Sequence, residues 1–283
     1  MSEAVFTRWD ELSSGRARQE DWSTGHEAID SCLPAGGLGR AALHEVEPLR
    51  PTDMPWLTGF AFGLLSRLAS MRPIVWCVTR RQVGDCGHLH ASGLQRYGIS
   101  PAQVVFARVD HPLHLHFAME EALKTSGVGA VIGEGPRPTF TGSRRLSMLA
   151  RAEERPCLLM IPDADGGRGS AAETRWQVEP QPGVSDPLDP FGPGLPTWRV
   201  ALPRMRGGRS LPHMEPGSSQ GLSHGPAQAP ARGTASYPWR VVWDEQTYSF
   251  RPAAAFSSQP ADAGTAQAAP ARQTVVGGTR RAG

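Results

Sequence analysis

Five short apolar runs, separated by segments of helical length, constrain this chain more than any other feature. They are Ala41 to Val46, Ile74 to Val78, Val104 to Val109, Val128 to Ile132 and Cys157 to Ile161. Ile74 to Val78 is continuously apolar between Pro73 and Arg80, which suits a strand covered on both faces of a parallel sheet. Trp56 to Ser70 sets Leu57, Phe60, Leu64 and Leu68 at helical spacing, and His88 to Tyr97, Leu113 to Thr125 and Ser143 to Glu154 also read as helices. Strands alternating with helices of this length predict βαβ units, hence an α/β fold with a mainly parallel sheet flanked by helices.

The pattern changes beyond Pro162. Trp198 to Leu202 and Trp239 to Trp243 alternate apolar and polar residues with period two, and Tyr248 to Phe250 does so more briefly. These predict antiparallel strands added to the sheet from the C-terminal part. Ten of the 26 prolines precede residue 161 and sixteen follow it, so the second part is read as loop-rich. The expected division is an N-terminal arm or helix over 1–22, a core domain over 23–252 with a mobile loop at 207–236, and a disordered tail over 253–283.

A parallel α/β protein with a glycine turn (Leu33 to Gly39) before its first core strand invites a search for a nucleotide site. A phosphate loop needs glycines that free backbone amides, a lysine for phosphate oxygens and a hydroxyl for magnesium. The segment between the first strand and its helix, Glu47 to Trp56, has neither glycine nor lysine, and Pro48, Pro51 and Pro55 remove amide donors. Arg50 and Thr52 are the residues available to replace the lysine and hydroxyl, and the loop around them cannot form the amide nest. Lys124 is the only lysine and lies two βα units further on. Glu134 follows the strand Val128 to Ile132, where a metal-binding carboxylate would stand, and reads as a polar residue of a strand-end loop. No ATPase, no cofactor and no metal are expected.

Other constellations carry less. His111, His114 and His116, with His88 and His90 upstream, read as solvated histidines at helix starts, and no cysteine completes a metal-ligand spacing. Glu120 and Glu121 point about 100° apart on a helix and read as a solvated face. Cys32, Cys77, Cys86 and Cys157 form no C-x-x-C pair and suit buried thiols in a reducing compartment. The start of the chain has no apolar segment of signal-peptide type, and the longest apolar stretch, Trp56 to Leu65, is about half a membrane span. A cytoplasmic protein is expected.

Arginines supply the remaining signal. Between Asp189 and Glu215 there is no acidic residue, whereas Arg199, Arg204, Arg206 and Arg209 all fall there beside Trp198. Arg80 with Arg81, at the carboxyl end of a strand, and Arg144 with Arg145 add two more basic points. Such residues suit phosphates or an acidic partner surface, and equally an ordinary solvated surface. The formal net charge of +2 does not by itself predict a nucleic-acid partner.

The segment Thr24-Gly25-His26-Glu27-Ala28-Ile29-Asp30, continuing through Leu33 to Gly39 and Leu43-His44-Glu45-Val46, resembles the opening of RecA-like proteins and, more closely, of the ImuA family. Further matches run in family order: Arg72 to Cys77, Ala118 to Leu123, Ser143 to Leu146, Ala171 to Trp176, and Trp198 to Val200 with Arg204 to Gly208. The resemblance covers about residues 23 to 252 and implies a RecA-type core with a degenerate nucleotide site. It also implies a non-catalytic accessory role in error-prone translesion synthesis after SOS induction, with an ImuB-like Y-family homologue and RecA as partners. An error-prone DnaE-type polymerase would join indirectly, and DNA is a further candidate partner. The competing reading is a SulA-like inhibitor of cell division, related in fold; an active recombinase-like ATPase is the third.

Overall fold

A computed structural model describes residues 22–34, 36–68, 72–163, 169–185, 191–206 and 239–253. The expected loop at 207–236 and nearly all of the expected N-terminal arm and C-terminal tail lie outside the described residues. The elements, in chain order, are α1 (Glu27–Asp30), β1 (Leu43–Pro48), α2 (Met54–Ser66), β2 (Ile74–Thr79), α3 (Arg80–Cys86), α4 (Ala91–Gln95), β3 (Val104–Val109) and α5 (Pro112–Lys124). They continue with β4 (Ala130–Glu134), α6 (Phe140–Ala152), β5 (Cys157–Met160), β6 (Thr174–Val184), β7 (Leu195–Met205), β8 (Trp239–Asp244) and β9 (Ser249–Pro252).

The strands form one sheet in the order β3-β2-β4-β5-β1-β6-β7-β8-β9. Strands β3 through β6 in this order run parallel, and β7, β8 and β9 add to the β6 edge by antiparallel pairing. This is the mainly parallel α/β class expected from the sequence, with its antiparallel extension on the C-terminal side.

Two layers of helix cover the sheet. On one face α5 and α6 close a cluster containing Leu43, Cys77, Val131, Leu146 and Leu159. On the other, α2 meets an aromatic core to which the C-terminal strands contribute most: Trp176 of β6, Trp198 of β7, Trp243 of β8 and Phe250 of β9. Phe60 lies 5.9 Å from Trp176 and 5.0 Å from Phe250, ring centre to ring centre. Gly63 lets Phe250 approach the helix, since a Cβ there would stand 2.4 Å from that ring. Each buried indole also needs an acceptor: Trp198 donates to the Trp56 carbonyl at 3.1 Å and Trp243 to the Arg96 carbonyl at 3.0 Å.

The sequence differs from the structure most at β6, which had no strand assignment. Pro180 and Pro182 disguise it. Its pairing with β1 covers only Thr174 to Val178, so both prolines fall where that side of the strand has no ladder to interrupt. A second difference concerns His88 to Tyr97, which holds only the short α4; the β2–β3 connection begins instead with α3, capped by the Thr79 hydroxyl on the Gln82 amide.

Candidate functional site

In open α/β sheets ligands gather beyond the carboxyl ends of the parallel strands. At that edge β1 passes into Leu49 to Asp53, whose last three residues form a 3-10 turn, and then into α2. Arg50 turns to Glu179 on β6, with 3.5 Å between the charged groups, and the Thr52 hydroxyl donates to Asp53 at 3.5 Å.

Beneath this turn lies a buried ionic cluster. Glu45 and Glu47 are alternate residues of β1 and project from the same face. Arg175, in register with Glu45 on β6, places its Nε 3.0 Å from both carboxylates. Arg137, from the β4–α6 connection, bonds Glu47 and sits 3.7 Å from Glu45. The Ser170 hydroxyl donates to Glu45. All five residues are at least nine-tenths buried. Burial pushes the Glu47 carboxyl up, against the opposing pull of Arg137 and Arg175. Both guanidinium groups are thus engaged by carboxylates within the cluster.

Glu134 is not a loop residue. It ends β4, is 7% exposed, and accepts from the Trp76 indole at 3.1 Å. Desolvation raises its pKa from 4.5 to about 7, against the Trp76 and Gln82 hydrogen bonds. It lines a cavity of about 220 Å³ between the start of α2 and the β2–α3–α4 connection. The folded chain therefore keeps a proton that the unfolded chain releases above 4.5, and stability should fall as pH rises from about 4.5 to 7. The whole effect amounts to about 3 kcal/mol. His26 and His44, both lowered by burial, act in the opposite sense. Denaturant unfolding of the wild type and Glu134→Gln side by side isolates the effect: the wild type should lose stability relative to the variant across that window.

The arginines singled out by sequence do not converge. Arg80 pairs with Asp110, and Arg81 stands 3.7 Å from Asp85, both at the carboxyl edge. Arg144 is exposed on α6, and its neighbour Arg145 meets Glu120 at 2.5 Å. Arg199 pairs with Glu179 at 2.7 Å in the middle of the extension. Arg204 is opposite Arg175 at the far, amino edge of the sheet, and Arg206 is exposed just beyond it. Arg209 lies outside the described residues.

No family model matches the chain. Two curated relatives from two strains of Caulobacter vibrioides, each named Protein ImuA, are 32% identical to it over 223 residues, spanning 72% of this chain and 85% of theirs. The chain belongs to the ImuA family. Among solved structures it is similar to the RadB recombinase, with a TM-score of 0.48 and 11% identity over 82% of this chain and 99% of that one.

Several residues of this ImuA-family chain sit differently from their sequence reading. Glu120 is buried against Arg145 rather than solvated, while Glu121 is exposed and holds Lys124 at 2.8 Å. The His111 and His114 rings are 5.8 Å apart, and His116 turns to the Pro136 carbonyl. Among the described residues no group of three or more histidine, cysteine or acidic side chains is arranged to hold a metal. Cys77 and Cys157 are buried, and burial pushes the Cys77 thiol up to about 12; Cys32 and Cys86 are half-buried. No helix among the described residues is long and apolar enough to cross a membrane.

Two features escaped the sequence reading. One is the Glu134 cavity, whose lining comes from α2, β2, α3, β3 and β4 and has no local signature. The other is the sheet edge β3, where Val105 is 51% and Phe106 41% exposed, with Leu113 and Phe117 exposed on α5. The apolar run Val104 to Val109 signalled a strand; only the strand order reveals that it is an edge.

Proposed function

We propose that this chain is a non-catalytic accessory protein of an error-prone translesion synthesis complex, acting in the cytoplasm. Family membership supports a role in the ImuA/ImuB mutagenesis system. In this reading the chain binds an ImuB-type Y-family homologue and a RecA-type recombinase, and an error-prone DnaE-type polymerase joins through them. The observation that carries the non-catalytic part is the β1–α2 turn. Its prolines withhold amides, it contains no lysine, and the residues beneath it are committed to a buried cluster of Glu45, Glu47, Arg137 and Arg175. A scaffold of this kind works by contact.

The exposed apolar side chains Val105 of β3 and Leu113 and Phe117 of α5 support partner binding, because exposed apolar patches mark interaction sites. Arg80, Arg81, Arg144, Arg145, Arg199, Arg204, Arg206 and Arg209 are the proposed basic contacts for partner or DNA. Purified protein should show no ATP turnover above background with or without single-stranded DNA, and should retain ImuB-type and RecA-type partners in pull-downs. Arg204→Glu with Arg206→Glu should weaken partner retention at least tenfold and reduce its salt sensitivity. DNA-stimulated hydrolysis, or failure to capture either partner, would count against the proposal.

A further inference from the structure

Six carboxylates are buried among the described residues: Glu45, Glu47, Glu120, Glu134, Glu179 and Asp244. Five of them meet an arginine: Glu45 and Glu47 meet Arg175, Glu120 meets Arg145, Glu179 meets Arg199, and Asp244 meets Arg251. Glu134 forms no ion pair among the described residues; its hydrogen-bond donors are the neutral Trp76 indole and the Gln82 amide. A carboxylate taken out of water without a cation is costly. Here the unmatched one opens into a cavity.

The cavity joins this carboxylate to apolar walls. Pro55, Val83 and Leu89 give it apolar sides, and the Phe106 ring, part-exposed, forms one wall. Phe106 on β3 and Glu134 on β4 stand on either side of β2, so an arginine whose guanidinium bonds the carboxylate can lay its methylene stem toward the Phe106 ring. At about 220 Å³ the space is smaller than the roughly 300–1,000 Å³ of most small-molecule and cofactor pockets and fits a side chain. Arg108, exposed and in one row with Glu134 across Val78, also lines the cavity.

We propose that this cavity receives an arginine side chain presented by a protein partner, its guanidinium on the Glu134 carboxylate and its stem toward Phe106. The inference rests on the ionic pairing of this chain alone and does not depend on the translesion reading.

The test uses the full chain labelled with ¹⁵N and N-acetylarginine amide as the probe, read at the Trp76 indole N–H, which is assigned with Trp76→Phe. The other titratable or charged groups lining the cavity are Cys86, His88, His90 and Arg108. A saturable shift of the Trp76 signal is expected at pH 8, with affinity about tenfold weaker at pH 6, where Glu134 holds its proton. Glu134→Gln should abolish the shift, Phe106→Ala should weaken binding several-fold, and the lysine analogue should bind far less tightly. No saturable shift at pH 8 would overturn the proposal, as would an equal shift in a folded Glu134→Gln protein.

Discussion

Replacing Arg137 with alanine should destabilise the folded chain by about 3–5 kcal/mol, the usual consequence of removing one member of a buried ion pair. The arginine side chain is 2% exposed, and its partners Glu45 and Glu47 are 0% and 7% exposed at their side chains. Without it, Arg175 alone must neutralise two carboxylates that water cannot reach. At roughly 2–4 °C per kcal/mol for a domain of this size, the midpoint of thermal unfolding should drop by about 10 °C. Adding Glu47→Gln to Arg137→Ala should recover part of the loss, because the remaining Glu45 then faces Arg175 on equal terms. Thermal and urea unfolding of the single and double variants measure both steps. A loss under 1 kcal/mol for Arg137→Ala would mean that the cluster is hydrated rather than sealed.

Trp243→Ala should be comparably damaging, costing about 3–5 kcal/mol. The indole is fully buried, lies 5.0 Å from Tyr97 and 5.2 Å from Phe250, and donates to the Arg96 carbonyl. It therefore ties the terminal hairpin β8–β9 to the short helix α4 and the loop after it. Its removal leaves a large void and an acceptor without a donor. If the antiparallel extension were an independent appendage, only its own near-ultraviolet signal would change. Because one aromatic cluster links Phe60, Trp198, Trp243 and Phe250, the loss should instead lower the stability of the whole domain in a single transition.

How much of this was legible in the sequence follows from which signals are local. Five of the six parallel strands and the helices α2, α5 and α6 were readable because apolar runs and helical spacing are properties of short windows. The edge position of β3, the central position of β1 and the presence of β6 were not, since strand order is decided by pairings between distant segments. The barren β1–α2 turn was visible as a row of prolines without lysine. The cluster beneath it was not, because Arg137 and the stretch from Ser170 to Arg175 lie far along the chain from Glu45 and Glu47, and only the fold brings them together. Glu134 was located by strand position yet misread, since only the packed structure shows it buried, held by Trp76 and Gln82 and lining a cavity. The arginines were easy to find and hard to group, because charge runs along a sequence say little about which edge of a sheet each one reaches.

The sheet order also governs how the chain comes into being. Among the described strands β1 comes first in the chain, yet its neighbours are β5 and β6, with Leu43 opposite Cys157 and His44 opposite Thr174. β2, β3 and β4 find one another while β1 waits with an apolar segment unpaired on both sides. Nascent chains stopped anywhere before Cys157 lack a mate for it, so translation must run well past the middle before the domain closes. Long-range pairing of this kind slows folding and extends the time during which a chaperone has something to hold.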